Sequence, residues 1–322
     1  MQGKMKAAWL KGYHKFEIVE VDIPQITPDQ VLVKINKIGI CGSDRGMWEN
    51  SHFFNELYKW EELEPGDHGH ESVGTVVEAG KNVKWVKEGD QVVRLNLYDS
   101  WDLKMSNFAE YSVTDCCIPC NGADPEVMCF TDPVMVALNH IHHANVSPGD
   151  TVVVMGQGLL GLIVTQLLID NHINVIATDI SERRLKIAKG FGAAAYPANN
   201  KELVDKIKSM NVDVRAVIEC SGADEAVDAA CQILSRGATI VVMGATRTRI
   251  TFNYTQMRIK GATIRFPMNR VNHKDNWKPA AEILMKGKVE VKSFVDKRAK
   301  LLNIQKVLEN YDDEWIRVIL DV

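Results

Sequence analysis

From residue 151 onward, short apolar runs alternate with segments of helical spacing, and that alternation leaves few architectures open. The runs TVVVMG, NVIATD, VRAVIEC, ATIVVMG and ATIRF read as strands covered on both faces. Between them SERRLKIAKGFGA, KELVDKIKSM and DEAVDAACQIL have helical spacing, with Ser181 placed as an N-cap. The pattern predicts a doubly wound parallel sheet over residues 151–269. Residues 1–150 have another texture: MKAAWL, KFEIVEV, QVLVKINKIGI, SVGTVVEAG, DQVVRL and FAEYSV are β-rich runs parted by turn residues. Residues 270–322 offer a helix (WKPAAEILMKGKV), a short strand, a second helix (NIQKVLENY) and a closing strand. This tail is too short to stand alone and is expected to pack back onto the first half.

Length and composition set outer bounds. A chain of 322 residues has room for about two domains at roughly 150 residues each. With 46% apolar and 25% charged residues it is not a disordered chain. A net charge of −4 without any Lys/Arg run argues against a nucleic-acid or polybasic membrane surface. The N-terminal stretch has no apolar h-region, so no secretory signal is read. The longest apolar stretch, 151–169, is broken by Gly156, Gln157, Gly158, Gly161 and Gln166 and makes a poor membrane span. Seven cysteines, an odd count, fit reduced thiols and a cytoplasmic location.

Between the strand TVVVM and the helix LLGLIVTQLLI lie Gly156, Gly158 and Gly161 in G-x-G-x-x-G spacing. That context reads as a dinucleotide cradle: a tight turn at Gly156, pyrophosphate against Gly158, and close helix–sheet packing at Gly161. The helix start, with Leu159 and Leu160, presents free N–H groups to the phosphates. Asp179 ends the next strand 18 residues after Gly161, placed to hold the adenosine ribose hydroxyls and to repel a 2′-phosphate. NAD is therefore expected over NADP. Arg183 and Arg184 follow and keep the NADP alternative open.

In the β-rich half, GICGSD (39–44) and PGDHGHESVG (65–74) bring Cys41 and His70, ligand types suited to zinc, from separate loops. With the glycine fingerprint and Asp179 in the same order, the chain resembles the medium-chain dehydrogenase/reductase family, in its zinc-dependent alcohol and polyol dehydrogenase branch. The resemblance implies an α/β chain: a GroES-like β-barrel catalytic domain, a Rossmann domain, and catalytic zinc in the cleft between them. It also implies a homodimer or homotetramer. On that pattern Cys41 and His70 are ligands, Glu71 is a ligand or a neighbour exchanging with water, and Asp132 stands where polyol dehydrogenases carry a Glu-Pro ligand. Ser43 would take the substrate proton, Asp44 would orient the ligand loop, and the Gly244 backbone would face the nicotinamide amide.

Departures from the pattern shape the expectations. Asp132 is one methylene shorter than Glu, so a bridging water or Glu71 is an alternative fourth partner. The four-cysteine structural-zinc lobe is missing, so one zinc per chain is expected. Many relatives place a relay histidine two residues after Asp44; Gly46 stands there, and His52 is the nearby substitute. Cys116, Cys117, Cys120 and Cys129 fall after the FAEYSV strand, beyond the place of the missing lobe, and two of them are adjacent, so they read as structural. His142-His143 reads as helix surface, and His68 as a neighbour of the ligand loop. Trp48, Phe53, Tyr58, Trp60 and Trp101 are candidate pocket walls, with Glu49 and Asp99 as acceptors. The carboxylate at 132 and the absent lobe point to a polyol, sugar, cyclitol or aminocyclitol rather than a simple alcohol. The rival readings are a simple-alcohol dehydrogenase, a zinc-independent NADPH quinone or enoyl reductase, and a silent binding protein.

Overall fold

The computed structural model describes residues 2–49, 63–95, 107–198, 200–245, 250–267 and 273–322. The chain divides into two compact units: Met1–Asp132 with His273–Val322, and Pro133–Asn272. Among the described residues, no helix is long and apolar enough to cross a membrane.

The first unit is built mostly on antiparallel pairing. Strands β1 (Lys4–Gly12) and β2 (Lys15–Asp22) form a two-stranded sheet. The larger sheet holds β3 (Val31–Ile40), β4 (Glu71–Ala79), β5 (Gln91–Arg94), β6 (Tyr111–Thr114), β7 (Cys117–Pro119), β14 (Val295–Lys300) and β15 (Arg317–Asp321), in the order β14-β15-β3-β4-β5-β7. β3 is its organiser. It pairs with β4 on one side, and on the other with β6 through residues 31–34 and with β15 through residues 37–40. Its side chains Val31, Leu32, Val33, Ile35 and Ile38 are almost fully buried, so burial on both faces pins the register. Three helices are short: α1 (Gly42–Trp48), α2 (Pro125–Met128) and, near the end, α10 (Ile304–Glu309). α9 (His273–Met285) completes the unit; the division itself falls within α3 (Thr131–Ala144).

The second unit is a six-stranded sheet, every neighbouring pair parallel, in the order β10-β9-β8-β11-β12-β13. The strands are β8 (Thr151–Met155), β9 (Asn174–Asp179), β10 (Ala194–Pro197), β11 (Val214–Glu219), β12 (Thr239–Val242) and β13 (Thr263–Arg265). Helices α4 (Leu159–Asp170), α5 (Glu182–Gly190), α6 (Asn200–Ser209), α7 (Asp224–Ile233) and α8 (Tyr254–Lys260) connect them. In order of appearance the strands run 3-2-1-4-5-6, which puts the topological switch point between β8 and β11. Val152, Val153, Val154, Ala216, Val217 and Ile218 are fully buried, as a centre covered by helices on both faces requires.

Candidate functional site

In the first unit, pairing of β3 with β4 sets Gly39 opposite Glu71. The residue that caps α1 just beyond β3, Cys41, is thereby brought to the start of β4, where His70 and Glu71 lie. One donor atom from each of Cys41, His70 and Glu71 falls within 4.8 Å of the others. His70 Nε2 lies 3.7 Å from Glu71 Oε1. The Asp44 carboxylate accepts the Cys41 backbone N–H at 2.8 Å and so fixes the turn that aims the thiol.

Behind Glu71 stands Arg317, fully buried and ion-paired with the Glu71 carboxylate. Its guanidinium also donates to the main-chain oxygens of Ile40 (3.1 Å) and Cys129 (3.2 Å) and stacks on Phe130 at 5.0 Å. Gly39 is glycine because of it: a Cβ there would overlap the Arg317 guanidinium. Nothing in the sequence marked Arg317. It lies on β15, and only the β15–β3 register brings it beside the ligand loop.

Asp132 is also buried nearby, outside the set of three mutually close donors. Burial, with the charges of Glu71 and Asp44, pushes its carboxyl up to about 7 against the pull of His70 and Arg317. Burial and Glu71 raise the Cys41 thiol as well, opposed by His70. One thiol and three carboxyls therefore share a pocket with, among the described residues, only His70 and Arg317 as positive partners. That excess of buried acid, together with S, N and O donors in one cluster, fits a zinc ion.

Ser43 Oγ is buried beside Cys41 without a hydrogen-bond partner, a hydroxyl free to take or give a proton. Gly46 is buried in α1 and offers no side chain at the relay position. His52, Phe53, Tyr58, Trp60, Asp99 and Trp101 lie outside the described residues. Trp48 is buried against His14, ring centroids 4.4 Å apart, and Glu49 is held by Arg45 at 2.6 Å. His68 is buried with both ring nitrogens unpartnered, edge-on to Phe16 at 5.3 Å; burial lowers it to about 4, so it is neutral. Cys116, Cys117, Cys120 and Cys129 are free thiols that join no metal-holding group among the described residues. Burial pushes Cys129 up to about 12, an inert thiol. His142 is exposed and His143 lies 3.5 Å from Arg265, away from any such group.

The second unit carries a site made mostly of backbone. Gly156 sits at φ +88°, and a Cβ there would stand 2.8 Å from Ser221 N. Around Gly158, by contrast, a Cβ would meet nothing within 4 Å, so the space above it is open for phosphate. Gly161 touches the Gly156 carbonyl so closely that no side chain fits. Leu159 and Leu160 open the 12-residue α4, whose first N–H groups lack intrahelical partners. The Asp179 carboxylate accepts Gln157 N at 2.5 Å and Ser181 N at 2.8 Å, and Arg184 Nη1 lies 3.9 Å away. Each carboxylate oxygen keeps a lone pair for a ribose hydroxyl. Ser181 caps α5 by accepting Arg184 N. Gly244 follows β12, its N–H on the Glu219 main-chain oxygen at 3.0 Å. These residues fit a dinucleotide.

Comparison with known proteins follows the same lines. The family described as "Alcohol dehydrogenase GroES-like domain" matches residues 27–139, and "Zinc-binding dehydrogenase" matches 160–286. The chain is 29% identical over 319 residues to D-xylulose reductase A of Aspergillus oryzae, covering 89% of this chain and 87% of that protein. It is 27% identical over 322 residues to human sorbitol dehydrogenase, covering 90% and 87%. The fold superposes on 2R,3R-butanediol dehydrogenase of Bacillus subtilis with a TM-score of 0.84 at 20% identity, over 99% of each chain. The chain belongs to the zinc-dependent medium-chain dehydrogenase/reductase family, in its alcohol and polyol dehydrogenase branch.

Proposed function

We propose that this protein transfers a hydride between NAD and a polar secondary alcohol, a polyol, sugar, cyclitol or aminocyclitol, giving a ketone. The observation that carries the reading is the cluster of Cys41, His70 and Glu71 donors within 4.8 Å of one another. Zinc held there, with Asp132 as a further carboxylate, supplies a Lewis acid that lowers a hydroxyl pKa toward neutrality, while NAD supplies the hydride acceptor. The chain's own part is positioning and proton handling. Ser43 Oγ, buried and unpartnered, takes the hydroxyl proton and hands it on. Asp44 keeps the Cys41 turn fixed through its 2.8 Å bond. Asp179, nearly buried, accepts the adenosine ribose hydroxyls, with Arg184 beside it, and its charge disfavours a 2′-phosphate. A homodimer or homotetramer is the assembly this reading takes from the family.

Metal analysis of the purified protein, with NAD⁺ and NADP⁺ turnover over matched diols and mono-alcohols, tests the reading. One zinc per chain is expected, lost in Cys41→Ser and His70→Ala with the second unit still folded. Diols and cyclitols should exceed matched mono-alcohols at least tenfold in kcat/KM, about 1.4 kcal/mol of transition-state stabilisation. Equal or better turnover of simple primary alcohols would return the protein to the simple-alcohol reading, and two tightly bound zincs would make the 116–129 cysteines a site.

A further inference from the structure

Glu219 is the one acidic residue in the sheet centre of the second unit. It ends β11, paired with Met155 of β8 on one side and Val242 of β12 on the other, and it is fully buried. A carboxylate costs several kcal/mol to bury unless its oxygens are satisfied. Here they are satisfied by donors two and three residues on. Oε1 accepts Ser221 N at 2.6 Å, Ser221 Oγ at 2.5 Å and Gly222 N at 3.0 Å, and Oε2 accepts Gly222 N at 3.2 Å. The Glu219 main-chain oxygen takes Met243 N at 2.7 Å and Gly244 N at 3.0 Å. A Cβ on Gly244 would lie 2.8 Å from Oε2 and would overlap Gly222 N. One residue thus holds together the turns that follow β11 and β12. Burial raises its pKa, and the donors of Ser221, Gly222 and Gly244 oppose that rise. Among the described residues no Lys, Arg or His faces it.

The place matters. A dinucleotide laid across the switch point puts its adenosine half over β8–β10 and its second half over the carboxyl ends of β11 and β12. The Ser221 backbone already abuts Gly156, at the first turn of the phosphate cradle. Building on the nucleotide reading above, we propose that Glu219 is a positioning residue for the nicotinamide half, and that its charge, met by no cation among the described residues, favours the oxidised, cationic ring over the reduced, neutral one. The effect acts through two turns and through the field of a carboxylate held by N–H and O–H donors alone among the described residues.

Equilibrium binding of NAD⁺, NADH and AMP to the metal-loaded protein tests this without any turnover. AMP probes the adenosine half alone. Glu219→Gln should weaken NAD⁺ about tenfold, ~1.4 kcal/mol, and NADH threefold or less, with AMP unchanged within twofold. Equal loss of NAD⁺ and NADH, or a parallel loss of AMP, would overturn the proposal, because a merely structural residue would move all three together. Ser221→Ala keeps the charge and removes one donor. It should weaken NAD⁺ and NADH alike by about threefold and spare AMP. If Glu219→Gln does not fold, this second variant decides, and no loss of dinucleotide binding, or equal loss of AMP, ends the idea. A wild-type protein that binds neither AMP nor NADH would instead remove the nucleotide reading beneath it.

Discussion

Glu71 and Glu219 are both carboxylates at strand ends, 3% and 0% exposed, and the two units give them partners by opposite means. Glu71 is met by a full counter-charge, Arg317, brought in from a strand 246 residues further along the chain. Glu219 is met by N–H and O–H donors within three residues of itself, with no cation among the described residues. The first arrangement cancels the field of the carboxylate and makes it depend on long-range pairing. The second is self-contained and leaves the field standing for whatever lies above it. A buried charge can thus serve as a strut or as a field source, and its partners tell which.

The comparison can be broken most forcefully at Arg317. Arg317→Leu leaves Glu71 buried and unpaired, and should cost about 3–5 kcal/mol of stability, read from urea midpoints of the first unit. The double variant with Glu71→Leu should recover most of that loss. Additive losses would show that the two residues do not act as a pair. A smaller effect comes from His140, buried in α3 with its Nδ1–H on the Val136 oxygen at 2.8 Å. Burial lowers its pKa to about 4, below the ordinary 6.5. Its neutral form is favoured on folding, so its contribution is present above pH 6.5 and is lost as pH falls toward 4 and below. The loss should approach about 3 kcal/mol and be absent in His140→Gln, measured as the pH slope of unfolding free energy. The smallest concerns Asp179, an acid that is neither salt-locked like Glu71 nor deep like Glu219. Asp179→Ser should lower kcat/KM for NAD⁺ about tenfold, ~1.4 kcal/mol, and narrow the preference over NADP⁺. A wild-type preference for NADP⁺ would mean that Arg184 outweighs the carboxylate.

Which parts could be read in advance follows the same physics. The strands of the second unit announce themselves because burial on both faces forces continuous runs such as TVVVM and VRAVI. The cradle is legible because Gly156, Gly158 and Gly161 lie in one contiguous stretch with Asp179 close behind. Cys41 and His70 stand out by chemistry alone. Arg317 does not, since one arginine in a closing strand looks like surface until register sets it over Gly39. β10 (AAYP) and α8 (YTQMRIK) are too short for their periodicity to rise above the background. Glu219 carried a signal that went unread: an acid ending an apolar run, just before Ser221-Gly222, is out of place unless the turn itself binds it.

Arg317 also sets an order of events during synthesis. The ribosome releases Glu71, then the whole of the second unit, and only then the strand that carries its counter-charge. At 5–20 residues per second, roughly 12 to 50 seconds separate the two partners. Only over the last 45 of those residues, roughly 2 to 9 seconds, does the parallel sheet have every residue it needs to fold while the donor cluster of the first unit still lacks its cation. A nascent chain is therefore competent for nucleotide before it is competent for metal, and premature termination anywhere between residues 273 and 316 would yield a folded dinucleotide cradle attached to an unfinished metal pocket.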